Sequence, residues 1–177
     1  MAYGTPGPPP SRGNGCFAGE RSLRKGTVEQ PSHPDRYPTM RQATTMLTID
    51  TTRQGLVDVT QPILRWTHSQ HLTEGLLTVF CRHTSASLLI QENAAPEVRT
   101  DLEAYFARIA PESREYEHDD EGPDDMPAHL RTALTQVQLT IPLIDGELAL
   151  GTWQGLYLFE HRRRPHRRTL ALHVIGN

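Results

Sequence analysis

From about Arg41 onward the apolar residues fall in short runs that alternate with polar ones, and this limits the chain to a β-rich fold. Leu170, Leu172 and Val174 alternate with Ala171, His173 and Ile175, and Val137-Gln138-Leu139-Thr140-Ile141 alternates in the same way. Successive side chains of a strand point to opposite faces, so a period of two marks a strand with one buried face. Met46–Ile49, Leu76–Cys81, Ser87–Ile90 and Thr152–Phe159 are further strand candidates, and Gln54-Gly55 is a turn signal. Asp145-Gly146 stands between two apolar runs and predicts a hairpin, because both turn positions require positive φ. Arg162–Arg168, with five arginines, is expected to be another hairpin loop.

Two segments break this period. Thr60 is placed to cap a helix reaching about His68, with Ile63 and Leu64 inward. Val98, Leu102, Phe106 and Ile109 recur at near-helical spacing, which predicts a helix over Pro96–Ile109 with one face buried. Ala128–Leu134 predicts a third, short helix. Between them Pro111–Pro127 is acidic and rich in Asp, Gly and Pro, and is expected to be a long loop. Six or seven strands with two or three helices define an α+β domain with a mostly antiparallel β-sandwich core.

Residues 1–40 differ. They carry the run Gly4-Thr5-Pro6-Gly7-Pro8-Pro9-Pro10-Ser11 and almost no apolar pattern, so they are expected to be a disordered extension of a domain spanning 41–177. No apolar segment follows their charges as a secretory signal requires, and Met40 stands where the apolar pattern begins. No stretch approaches the roughly 18–20 apolar residues that span a bilayer. The two cysteines, Cys16 and Cys81, give no disulfide framework and fit a reducing cytoplasm. A net charge of −3 argues against a nucleic-acid partner.

The candidate chemistry lies in three histidine-bearing segments. His83 ends an apolar strand and opens His83-Thr84-Ser85-Ala86-Ser87, at a sheet rim where polar side chains are exposed. The segment from His118 to His129 holds two imidazoles and five carboxylates, a donor set suited to zinc, iron or manganese, whereas a solvated acidic loop is the bland alternative. Gly151-Thr152-Trp153-Gln154-Gly155 sets a bulky aromatic and an amide between two glycines in a strand, and Glu160-His161-Arg162 closes that strand. The arginines from Arg162 on either capture phosphate or serve as partners for the acidic loop. Among the nine histidines, His68, His71, His166 and His173 are expected to be structural or solvated.

In this order, His83-Thr84-Ser85-Ala86-Ser87, Glu92-Asn93, His118, Asp124-Asp125-Met126-Pro127-Ala128-His129 and Gly151-Thr152-Trp153-Gln154-Gly155 with Glu160 closely resemble the YjbQ family over roughly Arg41–Gly176. The resemblance implies a β-sandwich domain assembled as a homotrimer. It implies a secondary thiamine-phosphate synthase activity, joining hydroxymethylpyrimidine diphosphate to thiazole phosphate with loss of pyrophosphate. Carried over, His83, His118 and His129 become ligands of a divalent metal, zinc or magnesium, with Asp125 as a fourth ligand or a partner behind them. His83, Ser85, Gln154 and Glu160 become catalytic residues, and Thr84, Trp153, His161 and Arg162 substrate- or phosphate-binding ones. Three imidazoles suit zinc better than magnesium, whereas diphosphate chemistry usually recruits magnesium. A metal-dependent hydrolase and a non-catalytic trimeric binding module are the competing expectations.

Overall fold

The structure is a computed structural model that describes residues 39–113 and 115–177. Residues 1–38 of the extension expected to be disordered, with Cys16 and His33, lie outside the described residues. The described chain runs β1 (Arg41–Thr51), β2 (Gly55–Asp58), α1 (Thr60–His68), β3 (Gly75–Cys81), β4 (Ala86–Glu92) and α2 (Pro96–Ile109). It continues with α3 (Asp125–Leu134), β5 (Gln138–Ile144), β6 (Glu147–Leu148), β7 (Gln154–Glu160) and β8 (His166–Gly176). The α+β class and the antiparallel two-sheet core are as expected. One sheet has five strands in the order β1-β8-β3-β5-β6 and the other three, β2-β7-β4, and every pairing is antiparallel.

The core lies between the sheets. Leu170, Leu172 and Val174 of β8, Leu77 and Val79 of β3, and Leu139, Ile141 and Leu143 of β5 meet Leu156 and Leu158 of β7 there. β7 is the middle strand of its sheet, and its other face is covered as well. Tyr157 and Phe159 pack with Phe106 of α2, whose ring meets Phe159 edge-on at 5.3 Å between centroids. Burial on both faces explains why β7 is a continuous apolar run instead of an alternating one. The Asp145-Gly146 turn forms as predicted, with φ of 52° and 83°, between β5 and β6.

Five local expectations are corrected. β2, taken only as a turn signal, is a strand paired with β7; its four residues are too few to show alternation. Helix α3 starts at Asp125, not Ala128, because Pro127 falls in its first turn, where a missing N–H costs nothing. Thr60 is the first residue of α1 and not its cap. Asp58 Oδ1 accepts the Thr60 N–H at 2.8 Å, and Thr60 Oγ1 accepts the Leu156 N–H at 2.9 Å, tying the helix start to β7. The segment Gly151–Gln154 is a turn ahead of β7, closed by Gln154 N–H to the Gly151 carbonyl at 2.9 Å and by Gly151 N–H to Gln154 Oε1 at 2.8 Å. Finally, Arg162–Arg168 is no hairpin loop: β7 and β8 belong to different sheets, Arg162–Pro165 crosses between them, and His166–Arg168 already belong to β8. Among the described residues no helix is long and apolar enough to cross a membrane.

Candidate metal centre

The earlier start of α3 decides the geometry of the acidic segment. Asp125 and His129 stand four residues apart and so share one helix face, while His118 reaches the same point from the loop ahead. One donor atom from each of His118, Asp125 and His129 can be chosen so that all lie within 4.8 Å of one another. His118 Nε2 is 2.7 Å from Asp125 Oδ2, and His129 Nε2 is 3.4 Å from the same oxygen.

Further contacts fix His129 and Asp125 in place. His129 Nδ1 lies 3.0 Å from the Thr84 carbonyl, an acceptor only, so Nδ1 carries the proton and Nε2 keeps its lone pair facing Asp125. The Asp125 side chain is 3% exposed, and its other oxygen is bonded by Arg162 Nη1. Arg162 also donates to Asp124 Oδ2 at 3.2 Å and to the Glu121 carbonyl at 2.8 Å, and Arg163 N–H donates to Asp124 Oδ2 at 2.9 Å. Burial alone would raise the Asp124 carboxyl, but these donors together hold it below the ordinary carboxylate range. Arg162 is therefore the clamp of the acidic loop, the second of the two roles expected for these arginines, and is not free to take phosphate.

His83 is close by but not in the cluster. It shares with Thr84 and His129 the wall of a cavity of about 780 Å³. Its Nε2 accepts the Thr169 N–H at 2.8 Å, which leaves the proton on Nδ1 and no lone pair for a metal. Burial first, then the Arg168 charge, pushes His83 below the usual imidazole range, so it is neutral at pH 7. Cys81, in the same wall, is pushed up to about 11 by burial and stays a thiol. Ser85 is half-buried beside His83, and its carbonyl accepts the His161 N–H at 3.3 Å and Arg168 Nη2 at 3.3 Å.

The other expected site residues stand elsewhere. Glu160 is fully buried and bonded by Arg168, by Thr51 Oγ1 at 2.8 Å and by the Arg162 N–H at 2.9 Å. His161 is also fully buried, 2.9 Å from Ser87 Oγ, with its ring centroid 4.3 Å from that of Phe159 at a tilt of 57°. Both are core side chains and do not line the cavity beside His83. Gln154 is exposed and closes its own turn, and Trp153 is 65% exposed. They lie at the opposite end of β7 from Glu160, about 20 Å away at the ~3.3 Å per residue of a strand. Within one chain they do not reach the cluster. Sequence reasoning missed Arg168 and Arg131 as buried cations. Arg168 could have been found, since it shares the inward phase of Leu170, Leu172 and Val174 along β8.

The fold and site together define a two-sheet α+β domain with a histidine–carboxylate cluster at the start of a short helix. The family model described as UPF0047 protein YjbQ-like matches residues 45–177, and the chain belongs to that family. It is 50% identical over 139 residues to a UPF0047 protein of Synechocystis sp., covering 78% of this chain and 95% of the relative. It is 42% identical over 117 residues to the UPF0047 protein YjbQ of Escherichia coli O157:H7, covering 66% and 85%. A crystal structure titled a YbjQ-like protein of unknown function, from Sulfolobus solfataricus P2, superposes with a TM-score of 0.73 at 22% identity. It covers 78% of this chain and 100% of that one, and shows the same fold.

Proposed function

We propose that this chain is a metal-assisted transferase of the thiamine-phosphate synthase type, with His118, Asp125 and His129 as its metal ligands. The observation that supports this is the convergence of those three donors beside a cavity large enough for a small heterocycle. The set fits a divalent ion of borderline softness. It offers two imidazole nitrogens and one carboxylate, as zinc prefers, with the tautomer of His129 already fixed by the Thr84 carbonyl. A bound cation supplies positive charge to the oxygens of the departing pyrophosphate. In the proposed reaction the C–O bond to pyrophosphate breaks with its electron pair, and the thiazole nitrogen forms the new C–N bond. The chain's own part is to hold the two reactants in line and to exclude water. Arg162 keeps Asp125 in place, and the neutral His83 offers an N–H at its second nitrogen.

Purified full-length chain, stripped with chelator and reloaded, should hold one zinc per chain, and His129→Ala should hold none. Thiamine phosphate formation should fall by more than about 100-fold in that variant, because even residues behind a ligand are worth roughly 10–100-fold. A wild-type rate that survives complete removal of metal would refute the reading. Three protein donors also leave room for a bound water, the arrangement of a hydrolase. Release of phosphate from p-nitrophenyl phosphate with no thiamine phosphate formed would favour that second reading.

The outer face of the five-stranded sheet offers a surface for self-association, and a homotrimer is the assembly proposed. Met46 is 59% exposed, and Leu76, Phe80, Ile144 and Ile175 are exposed on the same face. The same preparation should sediment at three times the chain mass.

A further inference from the structure

The cavity beside the cluster contains one charged side chain that the proposed chemistry leaves without a task. That residue is Arg82, which follows directly on β3. Its backbone is fixed: the Arg82 N–H donates to the Thr169 carbonyl at 3.2 Å, and the next residue's ring takes the Thr169 N–H. Its side chain shares the outward face with Phe80, two residues earlier.

Of the other arginines around the centre, four are committed to carboxylates; Arg131 is buried and donates to the Ala110 carbonyl at 2.9 Å, and Arg164 is exposed and does not line this cavity. Arg162 holds Asp124 and Asp125, Arg163 holds Glu112 at 2.6 Å, Arg167 holds Asp50 at 2.9 Å, and Arg168 holds Glu160. Arg82 has no carboxylate within ion-pair distance among the described residues. Its one side-chain contact of hydrogen-bond type is Nη1 to Met46 Sδ at 3.9 Å, a weak acceptor at long range. The walls of the cavity complete the case. No acidic residue lines it, so a ligand there meets a cation and no opposing carboxylate. Phe80, Ala133 and Val137 give an apolar side, and Thr132 brings a buried hydroxyl with no protein partner.

We infer that Arg82 captures the anionic end of the ligand in this cavity, and that the ligand is a small phosphate ester with a flat apolar body against Phe80 and Val137. The inference rests on the proposed function and deepens it, by moving phosphate recognition from the arginines after β7 to the end of β3. A guanidinium with no carboxylate beside it can present two parallel N–H donors to a phosphate, and such charge-assisted pairs are the strong ones. Specificity then has two parts: the phosphate finds Arg82 and the ring finds Phe80.

Calorimetric titration of the full-length, zinc-loaded chain with phenyl phosphate, phenol and inorganic phosphate tests this. Phenyl phosphate should bind more tightly than either fragment. Arg82→Gln should weaken phenyl phosphate about 10–100-fold, leave phenol within twofold, and leave zinc content and sedimentation unchanged. Arg82→Lys should recover part of the affinity, through charge without the two-donor fork. The same titrations on chelated protein keep the two readings apart. If the chain binds no zinc, the proposed function fails, whereas loss of phenyl phosphate affinity in metal-free Arg82→Gln still supports the present inference. An unchanged phenyl phosphate affinity in Arg82→Gln overturns it. So does a change in sedimentation without a change in affinity, which would make Arg82 an assembly contact.

Discussion

Arg168→Ala should lower the free energy of unfolding by about 3–5 kcal/mol, the usual cost of stranding a buried charge, and the melting temperature by roughly 10–20 °C. Glu160 is fully buried and Arg168 is 4% exposed. Arg168 Nε reaches Glu160 Oε2 at 2.7 Å, and Nη2 bonds the other oxygen. Truncating the guanidinium leaves a carboxylate in the core with only Thr51 and one backbone N–H as donors. The pair itself contributes little net, because removing both charges from water cancels most of their attraction. A double replacement, Arg168→Met with Glu160→Leu, should therefore recover most of the stability lost by the single one. Chemical unfolding of the three proteins at pH 7.5 decides the point. A single variant within about 1 kcal/mol of wild type would show that the pair is solvated in solution.

The same two residues show what the sequence could and could not disclose. Alternation placed the strands, because one buried face leaves a period of two in the residues. It failed at β2, which is too short to carry a period, and at Gly151–Gln154, where a side chain closes the turn and mimics strand composition. The site was legible as a composition, imidazoles with carboxylates around Pro127, but not as a geometry. Only the early start of α3 puts Asp125 and His129 on one face. Chain order also grouped Glu160, His161 and Arg162 as one polar patch. In the fold their backbone directs the first two into the core and Arg162 onto the acidic loop. Neighbours in sequence along a strand end need not share a site, since which face is solvent depends on packing from distant elements. That packing here comes from α2 and from the crossover between sheets.

Acid should destabilise the domain from well above the carboxylate range, and His161 should set the start of that decline. Its ring is buried, bonded at Nε2 to Ser87, and has no partner for Nδ1. Burial first, then the Arg131 charge, pushes its pKa down to about 3 from an ordinary 6.5. Between those values the unfolded chain binds a proton that the folded one refuses. The stabilisation is fully present above 6.5 and falls as the pH drops toward about 3. The slope for one such group is about 1.4 kcal/mol per pH unit. Glu160 acts later: burial raises its carboxyl, but Arg168, the Arg162 N–H and Thr51 outweigh that and hold it below its ordinary 4.5. Its stabilisation is present above 4.5 and is lost only as pH falls through the lower folded value. His83 shifts in the same direction as His161 but is partly exposed, so its share of the slope is smaller. Urea unfolding of metal-free protein between pH 7.5 and 4.5 isolates the histidine window from Glu160. His161→Leu and His161→Asn should flatten most of that window whatever they cost at pH 7.5, whereas Ser87→Ala should keep the slope. Stability curves that run parallel to wild type in both His161 variants would remove His161 as the titrating group.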